Sequence, residues 1–326
     1  MDWRFGLLLH QIAKRPNRAN HGQSAMDLNH DTLSRLKRRL KDCFLDDETL
    51  SVFVDDGYFW SGQGFRGQLS IEAGNCFGIQ QDHLLEIALF TELLHNASLV
   101  HDDIVDSDYE RRGYQTLWHR YGLSKALLIG DLLIAKAFEV ASISEISSCV
   151  KSKWSLSLSN TVSVAVRGAL SELDFKLSES DDLFSKYFGM ANDKTGMMFT
   201  LPIRCIGYAA QLNESEIEKL AEIFSKLAVA YQIRDDEADY LGNKTGRATK
   251  SDFLNDRPNL YQLLSKSPLY SSDFLIHAAK YQEKLIEEAK VGLKEFPNSL
   301  TNMTSKLVLP FVQLSAKPDL SANLTH

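Results

Sequence analysis

The chain has 326 residues, 44% hydrophobic, 24% charged and 10% aromatic, enough for one large buried core or two modest ones. A formal net charge of -7 argues against a nucleic-acid backbone as the main partner, and an anionic protein that takes up anionic phosphates needs metal cations to do so. Cys43, Cys76, Cys149 and Cys205 follow neither a metal-ligand nor a paired spacing, and no apolar run approaches the roughly 20 residues that cross a bilayer, so a cytoplasmic protein without disulfides, zinc or a membrane span is expected.

In chain order, residues 1–24 carry a short apolar patch, Trp3 to Leu9, followed by Lys14, Arg15 and Arg18. They read as a flexible N-terminal extension, with a targeting segment as the alternative. A single all-helical domain is expected over 25–326, because no proline falls between Pro16 and Pro202 and no strand-rich block or repeat interrupts the pattern. The helix near Asp31 to Asp42 bears Arg35, Lys37, Arg38, Arg39 and Lys41 and reads as an outer, solvated one. Leu84–Leu94 and Ala126–Phe138 are apolar nearly all round and belong in the middle of a bundle. Near Tyr281 to Lys294, Glu283, Lys284, Glu287, Glu288 and Lys290 mark another outer helix.

Two acidic clusters stand on otherwise apolar helices. In the first, Asp102, Asp103 and Asp106 lie three or four residues apart, so a helix brings all three near one face; Asp235, Asp236 and Asp239 repeat that spacing. One such cluster alone is more often a solvated acidic face. Two copies led by Leu99-Val100 and by Leu227–Ile233 suggest instead a polar floor inside a bundle, where carboxylates repel one another unless magnesium bridges them to substrate phosphates. Cations accompany both: Arg111-Arg112-Gly113, read as a glycine-marked helix end, then Lys194-Thr195-Gly196, and Arg247, Lys250 and Arg257.

These motifs, in this order, resemble the trans-isoprenyl diphosphate synthase family over roughly residues 50 to 312. The likeness rests on Leu94-His95-Asn96-Ala97-Ser98-Leu99-Val100-His101-Asp102-Asp103 through Arg111-Arg112-Gly113, on Gly130-Asp131, on Lys194-Thr195-Gly196, on Tyr231-Gln232-Ile233-Arg234-Asp235-Asp236-Glu237-Ala238-Asp239, and on Gly246-Arg247 through Arg257. It implies a helical bundle of the isoprenoid synthase type with a central cavity, a homodimer, and condensation of an allylic diphosphate with isopentenyl diphosphate.

By the same resemblance Asp102, Asp103, Asp106, Asp235 and Asp239 hold magnesium, three ions in all, with Asp236 supporting them. Arg111, Lys194, Arg247 and Arg257 contact the allylic diphosphate, Thr195 and Gln232 line the reacting end, and Arg66, His95 and Arg112 bind isopentenyl diphosphate. Gln63 stands where the family has a lysine, Ala169 where a glutamine is usual and Gln115 where a proline is usual, so the chain is a divergent member. A neutral amide at Gln63 weakens binding of isopentenyl diphosphate or marks a different acceptor, which leaves a terpene cyclase, or a regulatory synthase subunit, as alternatives. The small Ala97 and Ser98, one turn before Asp102, with Leu94 as a floor, suggest a product of about twenty carbons held in the cavity.

Overall fold

The computed structural model describes residues 25–62, 64–176, 182–242 and 257–313, with side chains from residue 32 onward. Helix α1 (Ala25–Leu45) turns Leu36, Leu40 and Phe44 inward at steps of four and leaves Lys37 and Arg38 in solvent. Its charges therefore lie on an outer face, as the pattern implies. A one-turn helix α2 (Gly57–Trp60) and α3 (Phe65–Asn75) lead to α4 (Gln81–Val105), whose residues from Leu84 to Leu94 are all buried except Glu86. Such a helix has no wet side and sits centrally, packed against α3 on one flank and α6 (Leu123–Ile143) on another.

Between α4 and α6 the chain makes its one strand pair among the described residues. Strands β1 (Glu110–Arg111) and β2 (Tyr114–Gln115) face each other, Arg111 opposite Tyr114, before the short α5 (Leu117–Tyr121). The two residues between them, Arg112 at φ 54° and Gly113 at φ 83°, both take the left-handed conformation. A two-residue hairpin of type I′ has φ > 0 at both central positions. Arg111-Arg112-Gly113 is thus a hairpin turn rather than the helix end the glycine suggested.

Helices α7 (Ser148–Leu173) and α8 (Leu183–Ala191) follow, and α8 runs through a π-helical turn (Asn192–Gly196) into α9 (Met197–Ala209). Helix α10 (Glu214–Tyr240) starts on a capping box in which the Asn213 side chain accepts from the Glu216 N–H and the Glu216 carboxylate accepts from the Asn213 N–H. It packs on α9 and on α12 (Phe274–Leu293), with α11 (Leu260–Lys266) between. Helix α13 (Asn298–Met303), a second π turn (Thr304–Val308) and α14 (Leu309–Val312) end the described chain. One apolar core joins these elements from Leu36 to Val312, and no described helix is long and apolar enough to cross a membrane.

Candidate active site

A cavity of about 1010 Å³ opens between α4 and α10. Helix α4 and its C-terminal cap line it with Glu92, His95, Asn96, Leu99, Asp102 and Asp106, of which Glu92, His95 or Asn96, Leu99, Asp102 and Asp106 follow at steps of three or four along one stripe of the helix. Helix α10 answers with Tyr231, Gln232, Asp235 and Asp236. Carboxylates from both motifs therefore line one space.

Not every aspartate faces it. Asp103 is 1% exposed and off the cavity wall; its carboxylate accepts from the Tyr58 hydroxyl at 2.6 Å and from Arg111 Nε at 2.6 Å, with Arg111 Nη2 at 2.5 Å. Asp103 points roughly 100° round the helix from Asp102, and Tyr58 and Arg111 hold it there. Arg111, expected on the allylic diphosphate, lines the cavity and pairs with Asp103, which keeps its guanidinium charged against the cost of burial. Asp239 is also off the wall and fully covered at the end of α10, where the chain turns back through Gly242 at φ 71°.

Asp236 is held from three sides. Its carboxylate accepts from the Tyr187 hydroxyl at 2.9 Å, the Leu260 N–H at 2.7 Å and Gln232 Nε2 at 2.9 Å, while Gln232 Oε1 accepts from the Thr195 hydroxyl at 2.8 Å. This chain fixes Thr195, Gln232 and α11 to one another at the cavity wall.

Lys194 enters from the π turn, a deformation that recurs at functional sites. Its ammonium lies 2.5 Å from Glu172 Oε2. Burial opposes its charge, but Asp102, Glu172 and Asp106 together outweigh burial and hold it above the ordinary lysine value. Gly168 on α7 permits the approach, because a Cβ there would stand 2.8 Å from the Lys194 backbone nitrogen. Arg257 reaches Asp106 Oδ1 at 2.7 Å and donates to the Val105 carbonyl at 3.1 Å, tying down the end of α4. Arg247, Lys250 and Gln63 lie outside the described residues.

The other end of the cavity is cationic and aromatic. Arg66 Nη1 lies 3.0 Å from His95 Nε2, and burial with the charges of Arg66, Arg112 and Arg111 pushes His95 well below the usual histidine range. A guanidinium only donates, so neutral His95 accepts at Nε2 and carries its proton on Nδ1, a buried atom with no partner among the described residues. Arg112 also lines this end, its guanidinium laid on Gly62 so closely that a Cβ there would be 2.5 Å from Nη1. Glu92 sits in the same wall and accepts from the Gly67 N–H at 2.6 Å; burial raises its carboxyl above the usual range against the pull of Gly67, Arg66 and Arg112. Arg66 and Arg112, both lining the cavity here, give this end the positive charge that fits a second anion.

The contacts of Glu92, Glu172, Tyr58 and Tyr187 were not anticipated; only the tertiary partner gives each its meaning. The tail positions also differ from expectation. Leu94 and Ala97 belong to the core and neither they nor Ser98 line the cavity, which meets α4 at Leu99 and Asn96.

The carboxylates suit a hard divalent cation in chemistry, though among the described residues no three acidic, histidine or cysteine side chains converge on one point. A magnesium ion bound by one or two carboxylates and completed by phosphate oxygens and water needs no such cage.

Comparison with known proteins agrees with this geometry. Residues 48–288 match the polyprenyl synthetase family. The short chain isoprenyl diphosphate synthase of Methanocaldococcus jannaschii is 32% identical over 230 residues, covering 66% of this chain and 68% of that one. The geranylgeranyl diphosphate synthase of Saccharolobus solfataricus is 25% identical over 280 residues, covering 84% and 80%. In fold, a polyprenyl synthase from Caulobacter crescentus, solved with calcium and isoprenyl diphosphate, superposes with a TM-score of 0.73 at 22% identity over 87% of this chain and 95% of its own. With its two acidic motifs facing across a single cavity, this all-α chain belongs to the polyprenyl synthetase family and is a prenyltransferase.

Proposed function

We propose that the enzyme condenses an allylic diphosphate with isopentenyl diphosphate to a linear all-trans diphosphate, in the cytoplasm and as a homodimer. The observation that carries this reading is one cavity with two chemically distinct ends: carboxylates beside Lys194 and Arg257, and arginines with neutral histidine beside aromatic rings. Two diphosphates of different roles suit two such ends.

In this reading Asp102, Asp106 and Asp235 would hold magnesium jointly with the allylic diphosphate, three ions being the number the family resemblance implies. When bound, the metal offsets the charge that grows on the departing pyrophosphate. Asp103, Asp236 and Asp239 support the walls. Lys194 and Arg257 add fixed positive charge where that leaving group develops negative charge. Thr195 and Gln232, held together at 2.8 Å, keep the reacting end in place. Arg66, His95 and Arg112 receive isopentenyl diphosphate, and Leu99 with the aromatic rings keeps water from the allylic cation.

A cavity of about 1010 Å³ is at the upper end for ligand pockets, consistent with two substrates and a product of about twenty carbons. The homodimer reading rests on leucines left in solvent, Leu127 and Leu128 on α6 and Leu156, Leu170 and Leu173 on α7, which two copies would cover.

Purified protein incubated with magnesium, geranyl or farnesyl diphosphate, and isopentenyl diphosphate should yield longer diphosphates only when the last is present. Hydrocarbons or alcohols formed without it would overturn the reading and favour the cyclase to which Gln63 points.

A further inference from the structure

Phe311 comes from α14, beyond the residues that match the family, yet its ring lines the cavity. It stacks on Phe65 with centroids 3.9 Å apart and planes 8° from parallel, and on Tyr231 at 4.9 Å and 4°. Phe65 and Tyr231 each also meet Phe199, over which the Arg66 guanidinium lies at 5.3 Å. The slab of rings is therefore continuous with the arginine and histidine end of the site.

We propose that Phe311 is a specificity-determining residue for the acceptor: inserted between Phe65 and Tyr231, it closes the apolar side of the pocket that Arg66, His95 and Arg112 head, and sizes that pocket for a five-carbon homoallylic chain. The inference rests on the isopentenyl reading above and adds the residue that sets the limit on acceptor size. Offset stacking of three rings makes a stiff wall, with little room for one ring to slide without losing the others.

The backbone of α14 is held independently of the ring. Arg234 donates to the Phe311 carbonyl, and Gln282 Nε2 donates to the Val312 carbonyl at 2.8 Å and the Ala230 carbonyl at 2.9 Å. Truncating the ring removes the wall and leaves the C-terminal segment fastened.

The test compares isopentenyl diphosphate with its homologue bearing an ethyl group in place of the branch methyl, using the full chain and one allylic diphosphate. A single methylene in a fitted apolar pocket discriminates by roughly 10- to 200-fold in kcat/KM, so the wild type should prefer the natural acceptor by a factor in that range. Phe311→Ala should cut this preference by about tenfold, with the KM of the allylic substrate changed less than about twofold. Phe311→Leu, which keeps apolar bulk, should fall between and serves if the alanine variant does not fold.

An unchanged preference in a folded variant, or an allylic KM that moves as far as the acceptor KM, overturns the inference while leaving the elongation reading intact. A wild type that turns over neither acceptor sinks that reading and this inference together.

Discussion

Replacing Asp103 by asparagine separates the two kinds of aspartate within one motif. Asp103 is 1% exposed, and its carboxylate is the countercharge for an Arg111 side chain that is itself only 10% exposed. Removing one partner of a buried pair costs about 3–5 kcal/mol, since the other charge stays buried without its mate. Asparagine keeps the shape and one acceptor oxygen, so the lower end, about 3 kcal/mol, is expected. At about 2–4 °C per kcal/mol for a domain of this size, thermal unfolding followed by circular dichroism at pH 7 should fall by roughly 6–12 °C. Asp102→Asn alters a carboxylate on the cavity wall with no ion pair among the described residues, and should shift stability by less than about 0.5 kcal/mol while abolishing turnover. If Asp103→Asn instead melts within about 2 °C of the wild type and loses activity as Asp102→Asn does, the assignment of Asp103 to the supporting structure is wrong.

Gly168→Ala places a Cβ 2.8 Å from the Lys194 backbone nitrogen and 2.9 Å from the Asp193 carbonyl carbon, neither of which can swing aside. A loss of about 1–3 kcal/mol in thermal unfolding and a fall in kcat are expected, and a variant normal in both would count against the tight α7 contact with the π turn. His95 is kept neutral in the fold, its pKa well below the ordinary 6.5, so below about pH 6.5 the unfolded chain binds a proton that the folded one does not. Stability attributable to this group is therefore lost as pH falls through that window, at up to about 1.4 kcal/mol per pH unit. Denaturant titrations from pH 7 to 5 should show a shallower loss for His95→Gln than for the wild type, and identical slopes would mean that His95 is charged in the fold.

The helical class and both acidic motifs were legible because a helix repeats every three to four residues, so apolar runs and Asp102/Asp106 spacing translate directly into faces. Which aspartates look inward was not, because Asp103 is turned by partners 45 and 8 positions away, Tyr58 and Arg111. The Arg111-Arg112-Gly113 segment misled for a related reason: a glycine with φ > 0 serves a helix end and a hairpin alike, and only the pairing of Arg111 with Tyr114 tells them apart. Glu172 and Glu92 gave no local signal, since each carboxylate acquires a role only from Lys194 or Gly67 opposite it. The cavity meets α4 at Asn96 and Leu99 and not at Ala97 and Ser98 because the rotation of α4 is fixed by its packing on α3 and α6.

The central claim, that carboxylates on α4 and α10 bind diphosphate through a shared divalent cation, is tested most directly by calorimetric titration of pyrophosphate with and without magnesium. For the wild type, binding should require magnesium, and Asp102→Asn or Asp235→Asn should each weaken it by about a hundredfold, the loss expected of a metal-site contact. Pyrophosphate that binds equally well without magnesium, held by Lys194 and the arginines alone, would contradict the account.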